Sequence, residues 1–541
     1  MGITSTTNLK KNILQSIIIS FFFFMSLVAQ VTQEEFCFKH HLYDKEVWWG
    51  GVVVDGPLMP FGKFEYEHDL FGDIKENQGS PVLVSSLGNY VWCEEPFKFE
   101  FNNDSLIVSS DYAKIVSGKA SNSLRDAYRY VSHNFFPSQG KIPDPLLFTM
   151  PQYNTWIELT YNQNESDILN YAQAIIDNGF PPGVIMIDDN WQEDYGNWEF
   201  KAEKFNDPKG MIDKLHQLGF KVMLWVCPFV SQDSPNYRLL EKENAFLMEN
   251  DAEKLPAIIR WWNGASALLD FTNPISEKWF KDQLKSLVEK YNVDGFKFDA
   301  GDPNFYTGKV IASKKISPNE HSELFAKIGL DYSLNEYRAC WKMGGQPLAQ
   351  RLRDKRHEWE DLKLLIPGII AQGLMGYQFT CPDMIGGGEY GSFLNLKTID
   401  EELIVRSAQC SALMPMMQFS VAPWRILNEA NLKICKDIAD LHKNMGDEIL
   451  KLAKESSITG EPIVRNMEYV YPHSGYSEIK DQFMLGNNIL VAPVIEKNSY
   501  RREIVFPEGK WKGDDGSVVV GPSKIKVDVP IDRLPWYRKI N

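Results

Sequence analysis

The chain has 541 residues, 44% of them hydrophobic and 24% charged, with a formal net charge of −15. This composition excludes an intrinsically disordered chain, and the length predicts two or three domains. The acidic balance and the lack of a long Lys/Arg cluster argue against a nucleic-acid partner. Aromatic residues reach 13% and include 15 Trp, more than packing usually needs, and stacking on sugar rings is one common use of such residues.

The N-terminal 30 residues have the pattern of a secretory signal peptide. Lys10 and Lys11 precede an apolar run at residues 13–29, and Val28-Ala29-Gln30 supplies small residues for cleavage. We therefore expect an exported protein, periplasmic or secreted, without stable membrane insertion. The alternative is an uncleaved signal anchor, because the apolar run is at the short limit of a membrane-spanning helix. In that case the rest of the chain lies on the exported side of the membrane.

The residue types also exclude several kinds of chemistry. Seven cysteines lie without any regular spacing, which argues against a disulfide framework, although Cys37 and Cys93 could bridge in an exported chain. The nine histidines form no HExxH or other ligand pattern, so no metal is predicted. No GxSxG motif indicates acyl chemistry, and no cofactor is expected.

Residues 31–144 predict an N-terminal β-sandwich. Apolar residues alternate or cluster in short runs at 48–54, 81–86 and 97–101, and Gly, Asn and Pro separate these runs. No segment of this region predicts a helix. Trp48 and Trp49 are predicted to lie in the core rather than in a substrate cleft.

Residues 145–455 alternate between strand and helix patterns. The predicted strands are 155–159, 183–188, 221–226, 295–299, 337–340, 349–353, 377–381 and 416–419, and the clearest helices are 165–178, 209–219, 274–291 and 359–372. Eight strands with intervening helices, and no GxGxxG after the first, favour a (β/α)8 TIM barrel over an open sheet. Residues 456–541 return to β patterns and predict a small C-terminal β-sandwich.

Functional groups of such a barrel lie at the C-terminal ends of its strands. Residues 294–302 predict a buried strand that ends in Asp299, with Lys297 on the same face and Gly301 in a sharp turn. The other polar or aromatic residues near strand ends are Asp188, Asp189, Trp225, Arg338, Arg351, Asp354, Asp383 and Gln418, and Trp261-Trp262-Asn263-Gly264 precedes the fourth strand. Carboxylates, arginines and tryptophans suit a polyhydroxylated ring, and glycoside hydrolysis needs just two carboxylates.

These motifs resemble glycoside hydrolase family 31, and within it the α-galactosidase-like branch. The segments that carry the resemblance include Ile187-Asp188-Asp189, Phe296-Lys297-Phe298-Asp299-Ala300-Gly301, Pro382-Asp383-Met384, Gln418-Phe419-Ser420 and Leu490-Val491-Ala492-Pro493. They span the predicted barrel and the C-terminal sandwich in order, which makes the resemblance specific.

The resemblance implies a retaining exo-α-glycosidase that acts on an oligosaccharide or another glycoside. Asp299 matches the nucleophile of the family. Asp354 matches the acid/base, whose pKa should lie above that of Asp299. The positions that match the sugar subsite are Asp188, Asp189, Trp262, Asn263, Lys297, Arg338, Arg351, Asp383 and Trp424. Lys297 is also expected to hold Asp299 ionised.

Two positions depart from the α-glucosidases of the family. Arg353 precedes Asp354 where they have Gly, and Gln418-Phe419-Ser420 stands where they have Arg-Asn-His. The first difference leaves Asp383 as an alternative acid/base, and the second points away from glucose and makes an α-galactoside the leading substrate. An α-glucosidase, an α-xylosidase, an enzyme for a modified sugar and a non-catalytic carbohydrate-binding homologue are the alternatives.

Overall fold

The computed structural model describes residues 33–249, 254–308, 310–394 and 396–540. The predicted signal peptide, residues 1–30, lies outside the described residues. Within the described ranges, no helix is both long enough and apolar enough to cross a membrane.

Two antiparallel sheets form the N-terminal region. One contains Cys37–His41, Tyr66–Asp69, Lys98–Asn102 and Ser105–Ser109, and the other contains Gln33–Glu35, Trp48–Val52, Gln78–Ser85, Asn89–Cys93 and Ile115–Lys119. Trp48 and Trp49 are fully buried, so their predicted place in the core is confirmed. The second sheet also takes in Cys340–Trp341 from the barrel, which pairs with the start of Gln78–Ser85. Cys37 and Cys93 are free thiols and form no bridge.

The prediction that this region contains no helix is wrong. Leu124–Phe135 is an α-helix whose buried face carries Leu124, Tyr128 and Val131 at helical spacing. Ser123 caps it, because its side chain accepts a hydrogen bond from the backbone N of Asp126.

The predicted (β/α)8 barrel is confirmed. Its parallel strands are Gln152–Asn154, Val184–Ile187, Lys221–Val226, Gly295–Phe298, Leu334–Tyr337, Gln350–Arg351, Thr380–Cys381 and Gln418–Phe419. Each of the first six pairs with the next along the chain, and the eighth pairs with the first. The backbone N of Ile385 donates to the carbonyl of Gln418 at 2.8 Å, which links the seventh strand's exit to the eighth strand.

The first barrel strand lies earlier than predicted. Residues 155–159 are not a strand, because Trp156–Leu159 forms a helical turn directly after Gln152–Asn154. The side chain of Asn154 accepts a hydrogen bond from the backbone N of Trp156, which supports the change of direction. This shift moves Trp156 from the middle of a predicted strand to the strand's C-terminal end.

Helices surround the barrel, and the longer ones begin at clear caps. Their bounds are Glu165–Asp177, Pro208–Gln217, Pro235–Lys242, Pro274–Tyr291, Pro318–Ile328, Leu365–Leu374, Glu401–Ala412 and Glu429–Thr459. Four of them start with Pro in the first turn, after a capping Asp207, Ser234, Asn273 or Ser317. The predicted helix 359–372 is split into Trp359–Leu362 and Leu365–Leu374.

The C-terminal region is a six-stranded antiparallel sheet. Its strands are Val464–Arg465, Phe483–Leu485, Ile489–Val491, Arg501–Gly513, Val518–Asp528 and Trp536–Ile540. The sheet has a hydrophobic cluster of its own around Phe506, Trp511 and Tyr537, whereas the N-terminal sheets and the barrel share one continuous core. The domain boundaries at residues 144 and 455 stay predictions.

Candidate active site

A cavity of about 720 Å³ opens at the C-terminal ends of the barrel strands. Seven of the predicted site residues line it, namely Asp188, Asp189, Trp262, Lys297, Asp299, Arg338 and Asp354. Aromatic rings of Trp156, Tyr161, Trp225, Trp261, Phe305 and Tyr390 complete much of the wall. Among the described residues, no group of His, Cys, Asp and Glu side chains could hold a metal ion.

Asp299 leaves the fourth strand through a tight turn. Its backbone N still bonds to the carbonyl of Val226 on the neighbouring strand at 2.9 Å, but Ala300 and Gly301 adopt left-handed φ angles of 57° and 72°. A Cβ at Gly301 would lie 2.5 Å from the ring of Phe325, so both the conformation and the space require glycine. The turn points the carboxylate of Asp299 into the cavity.

Three donors hold the carboxylate of Asp299. Arg338 Nε and the backbone N of Ala300 donate to Oδ1 at 2.7 and 2.8 Å, and Trp225 Nε1 donates to Oδ2 at 3.0 Å. Burial alone would raise the pKa of Asp299. The positive charge of Arg338, followed by those of Lys297 and Arg351, outweighs this effect and holds the pKa of Asp299 well below its usual value. Asp299 is therefore an anion across the physiological pH range.

Arg338 connects Asp299 to its surroundings. Its Nη atoms donate to Asp302 at 2.7 and 3.1 Å, and its guanidinium lies over the ring of Trp262 at 5.4 Å. Trp262 is about half exposed at the tip of the hairpin between Ile258–Trp261 and Gly264–Leu268, while Trp261 is nearly buried. Both rings line the cavity, and Trp262 is the more exposed of the two.

Lys297 has a different main partner from the one expected. Its ammonium donates to Asp188 Oδ2 at 2.6 Å across the barrel interior, and both side chains are almost fully buried. Lys297 still lowers the pKa of Asp299, but only after Arg338 in order of effect. The structure thus gives Arg338 the role that the sequence assigned to Lys297.

We expect Lys297→Met to destabilise the fold strongly, because it leaves the Asp188 carboxylate buried without its cation. The free energy of unfolding should fall by about 3–5 kcal/mol. Urea unfolding measures the loss, and Lys209→Met provides the control, because its pair with Asp213 is exposed and should contribute less than about 1 kcal/mol. Equal losses in the two variants would contradict the prediction.

Asp354 and Asp383 share one arginine. Arg351 Nη1 donates to Asp354 at 2.6 Å and to Asp383 at 2.9 Å, and Arg351 itself is fully buried. Burial would raise the pKa of Asp354, but Arg351 and then Lys297 hold it below its usual value. Burial and the charge of Asp354 raise the pKa of Asp383 to about 6. Of the two, Asp354 lies on the cavity wall and is about a third exposed, whereas Asp383 is buried behind it.

Asp189 lies in a network of polar side chains at the cavity wall. It accepts hydrogen bonds from Gln192 at 3.1 Å, from Tyr195 at 3.1 Å and from Asn263, which in turn accepts one from Tyr161 at 3.3 Å. Burial, together with the neighbouring charge of Asp188, raises the pKa of Asp189 to about 7 despite these donors.

This raised pKa predicts a pH dependence of stability. Between pH 4 and pH 7 the unfolded chain releases the Asp189 proton while the folded chain keeps it, so stability falls as the pH rises, by up to about 1.4 kcal/mol per unit. Asp189→Asn should remove this part of the fall. Urea unfolding at pH 4.5 and pH 7 measures it, and Asp213→Asn on an exposed helix should follow the wild type at both values.

Four predicted subsite residues do not line the cavity, and one of them, Asn263, lies next to it through its hydrogen bond to Asp189. Arg351 and Asp383 lie beneath its wall and act through Asp354, and the ring of Trp424 packs against Tyr171 and Phe180 instead. The role of Trp424 in the sugar subsite stays a prediction. Gln418 also lies below the cavity, where it donates to Glu336 at 2.8 Å.

Other residues of the cavity were missed in the sequence. Trp156 would have been found if the first strand had been placed at Gln152–Asn154, since it then follows a strand end. Tyr161 and Tyr390 contact Trp156 edge-to-face from loops that carry no motif. Glu76 comes from the N-terminal sheets, and no sequence signal connects it with the barrel.

Two family models match the chain. The model described as the TIM-barrel domain of glycosyl hydrolases family 31 matches residues 148–445. The model described as the C-terminal domain of glycosyl hydrolase family 31 matches residues 460–541. Together they cover most of the chain and confirm the resemblance that its motifs indicate.

Individual relatives agree with the family models. The myogenesis-regulating glycosidase of Mus musculus is 32% identical over 416 residues, which are 75% of this chain and 58% of the relative. The SITS-binding protein of Tetronarce californica is 29% identical over 316 residues, which are 56% of this chain and 44% of the relative. The chain thus spans about half the length of these curated relatives.

Solved structures show the same fold at lower identity. A family 31 dextranase of Flavobacterium johnsoniae, complexed with glucose, superposes with a TM-score of 0.83 at 18% identity, over 93% of this chain and 66% of the dextranase. A family 31 α-xylosidase from a soil metagenome, complexed with xylose, superposes with a TM-score of 0.78 at 19% identity, over 93% and 79% of the two chains. At such identities the likeness concerns the fold alone.

Proposed function

The chain belongs to glycoside hydrolase family 31, and we propose that it is a retaining exo-α-glycosidase that removes terminal α-galactosyl residues. The observation that carries the proposal is a pair of carboxylates on the wall of one cavity, each bonded to a different arginine. Asp299 is held as an anion by Arg338, and Asp354 is partly exposed on the wall of the same cavity. Retaining hydrolysis needs a nucleophile and a separate acid/base in this way.

In the first step of the proposed reaction, a carboxylate oxygen of Asp299 attacks the anomeric carbon of the sugar. Oδ2 is the freer oxygen, because among the described residues it has one hydrogen-bond partner, Trp225, while Oδ1 has two. As the new C–O bond forms, the glycosidic bond breaks and its electron pair stays on the leaving oxygen. Asp354 gives that oxygen its proton.

In the second step, Asp354 acts as a base. It takes a proton from water, the water oxygen attacks the anomeric carbon, and the bond to Asp299 breaks with its electrons returning to the carboxylate. Asp299 is thereby restored as a carboxylate and Asp354 as the protonated acid. Because Arg351 favours the anionic form of Asp354, it supports this base role and opposes the acid role, so the Arg351 contact must weaken when the acid acts.

The remaining polar groups suit the hydroxyls of one sugar ring. Asp188 and Asp189 offer acceptors, Arg338 and Lys297 offer donors, and the exposed face of Trp262 offers a surface for C–H groups. Asn263 lies beside them through its bond to Asp189. We propose that these residues form the subsite for the terminal sugar.

The support for galactose comes from the eighth strand. The family's glucosidases have Arg-Asn-His where this chain has Gln418-Phe419-Ser420, and here Ser420 accepts a hydrogen bond from the backbone N of Ile157 and is buried. A modified sugar is the second candidate, because Arg353 is half exposed on the cavity and its ion pair with Glu76 is long at 4.0 Å. An exposed guanidinium suits a carboxylate or sulfate group.

A panel of 4-nitrophenyl α-glycosides of galactose, glucose, xylose and N-acetylgalactosamine tests the proposal. We expect turnover of the galactoside and of no other member. Turnover of the glucoside or xyloside alone would move the specificity to that sugar. Failure on the whole panel, together with failure of a galactose-configured covalent inhibitor to label Asp299, would overturn the proposed activity and favour a carbohydrate-binding homologue.

We also propose that the protein is exported. The support is the charged and apolar pattern of residues 1–30, which is typical of a signal peptide. The N-terminal sequence of the protein purified from its own cells would test this, because cleavage near Ala29 is the expected result.

A further inference from the structure

A turn of the N-terminal sheets reaches into the active site. Residues 75–78, which we name the inserted turn, lead into the strand Gln78–Ser85 and include its first residue. Glu76 lines the same cavity as Asp299. The backbone carbonyl of Glu76 accepts a hydrogen bond from Arg338 Nη1 at 2.5 Å. The arginine that holds the proposed nucleophile is therefore itself held by a segment that is about 260 residues distant in sequence.

The side chains of Asn77 and Gln78, the next two residues of the inserted turn, donate to the backbone carbonyls of both active-site arginines. Asn77 Nδ2 donates to the carbonyls of Arg338 and Arg351 at 2.8 and 3.1 Å. Gln78 Nε2 donates to the same two carbonyls at 2.6 and 2.7 Å. Both amides are fully buried, and Gln372 donates to Gln78 Oε1 at 2.9 Å, which fixes which end of that amide faces the carbonyls.

The inserted turn is strained and anchored. Lys75 and Glu76 are consecutive residues with left-handed φ angles of 52° and 59°, a conformation that side chains other than glycine rarely adopt. Lys75 Nζ donates to the two carboxylate oxygens of Asp55 at 2.8 and 2.9 Å. The backbone N of Cys340 donates to the carbonyl of Asn77 at 3.2 Å. Strain of this kind persists where the surrounding structure over-determines it, and it is concentrated at functional sites.

We propose that Asn77 and Gln78 are positioning residues for catalysis, which set the places of Arg338 and Arg351 and, through them, of Asp299 and Asp354. The inference rests on the proposed roles of those two carboxylates. It means that the N-terminal sheets are part of the catalytic machinery rather than an independent module. The two arginines leave neighbouring strands of the barrel, so one pair of amides can fix the spacing between them.

The physical reason is that the position of each guanidinium depends on the position of the backbone that carries it. A guanidinium stands at the end of a long side chain, and small shifts of its backbone change which carboxylate oxygen it can reach. Asn77 and Gln78 offer four donors to two carbonyls that would otherwise be buried beside the cavity. Removing a donor leaves those carbonyls unsatisfied and frees the two strand exits to move.

The test replaces Gln78 with Glu, which keeps the size of the side chain but replaces the donating NH2 by an oxygen. We expect kcat on the proposed galactoside to fall on the order of 10²-fold, with KM changed by less than about threefold. Asn77→Asp is a second variant of the same kind and should act in the same direction.

The matched control is Asn319→Asp. Asn319 is also a fully buried amide that joins the barrel to the N-terminal sheets, since it donates to the carbonyl of Leu70 at 2.9 Å and accepts from Gly72 N at 2.8 Å. It contacts neither arginine. We expect a similar loss of thermal stability for Asn319→Asp and Gln78→Glu, but a kcat within about threefold of wild type for the control alone.

A second readout does not depend on turnover. In crystal structures of the variants, we expect the distance from Arg338 Nε to Asp299 Oδ1, 2.7 Å in the wild type, to exceed hydrogen-bond range in Gln78→Glu and to stay unchanged in Asn319→Asp. An unchanged distance in Gln78→Glu, or a kcat loss equal to that of the control, would overturn the inference. A wild type inactive on every glycoside would overturn the proposed function instead, and the distances would still decide the positioning role.

Discussion

Replacing Asp299 with Asn is expected to reduce kcat on an aryl α-galactoside by about 10⁴-fold or more. The amide has nearly the same shape, but it carries no anionic oxygen that can attack the anomeric carbon. It also withdraws the negative charge that Arg338 and Trp225 are placed to hold. Steady-state kinetics of the purified variant measure the loss.

Asp302→Asn is the control for this experiment. Asp302 accepts from the Nη atoms of Arg338, whereas Asp299 accepts from its Nε, so the variant disturbs the same arginine while the nucleophile stays in place. Its loss should stay within about 10²-fold. A second check uses Asp299→Gly with added azide, which should yield a β-galactosyl azide because the azide occupies the space of the missing carboxylate. Activity of Asp299→Asn close to that of Asp302→Asn would contradict the nucleophile role.

Replacing Asp354 with Asn is expected to have an effect that depends on the leaving group. For an α-galactosyl disaccharide, whose leaving oxygen needs a proton, kcat/KM should fall by about 10²–10⁴-fold. For α-galactosyl fluoride, which leaves without a proton, kcat/KM should fall by less than about tenfold. The comparison uses kcat/KM, so that slow breakdown of the covalent intermediate does not hide the first step.

Asp383→Asn separates the two acids that share Arg351. Asp383 is buried behind the cavity wall, where it accepts from the backbone N atoms of Lys355 and Gly388 at 2.5 and 2.8 Å. We expect its variant to lose activity equally on both substrates, because it disturbs the loop rather than the proton transfer. A leaving-group dependence in Asp383→Asn, and none in Asp354→Asn, would transfer the acid/base role to Asp383.

The sequence predicted those parts of the site for which the periodicity of the residues and the chemistry of their side chains lead to the same interpretation. Alternation along residues 295–299 puts Phe296 and Phe298 against the surrounding helices and Lys297 towards the barrel interior, and Gly301 turns the chain. The helix Pro274–Tyr291 was predicted for a similar reason, because Asn273 and Pro274 form a start signal that needs no tertiary contact.

The wrong predictions concern segments whose pattern suits two structures. Residues 155–159 alternate enough for a strand, yet the hydrogen bonds of the first strand go from Gln152–Asn154 to its two neighbours, and these decide its place. The helix Leu124–Phe135 lies in a region of strands, although Leu124, Ala127, Tyr128 and Val131 recur in it at helical spacing.

By itself, the sequence determined the class of fold, the strand that ends in Asp299 and the set of acids at the strand ends, because these follow from periodicity and from glycine and capping chemistry. Only the tertiary structure decided which polar side chains pair with each other. Lys297 donates to Asp188 across the barrel, and Arg338 donates to Asp299. Asn77 and Gln78 hold two carbonyls about 260 residues distant. Ion pairs and buried amides of this kind have no repeat in the sequence, since each depends on where the folded backbone brings two distant side chains together.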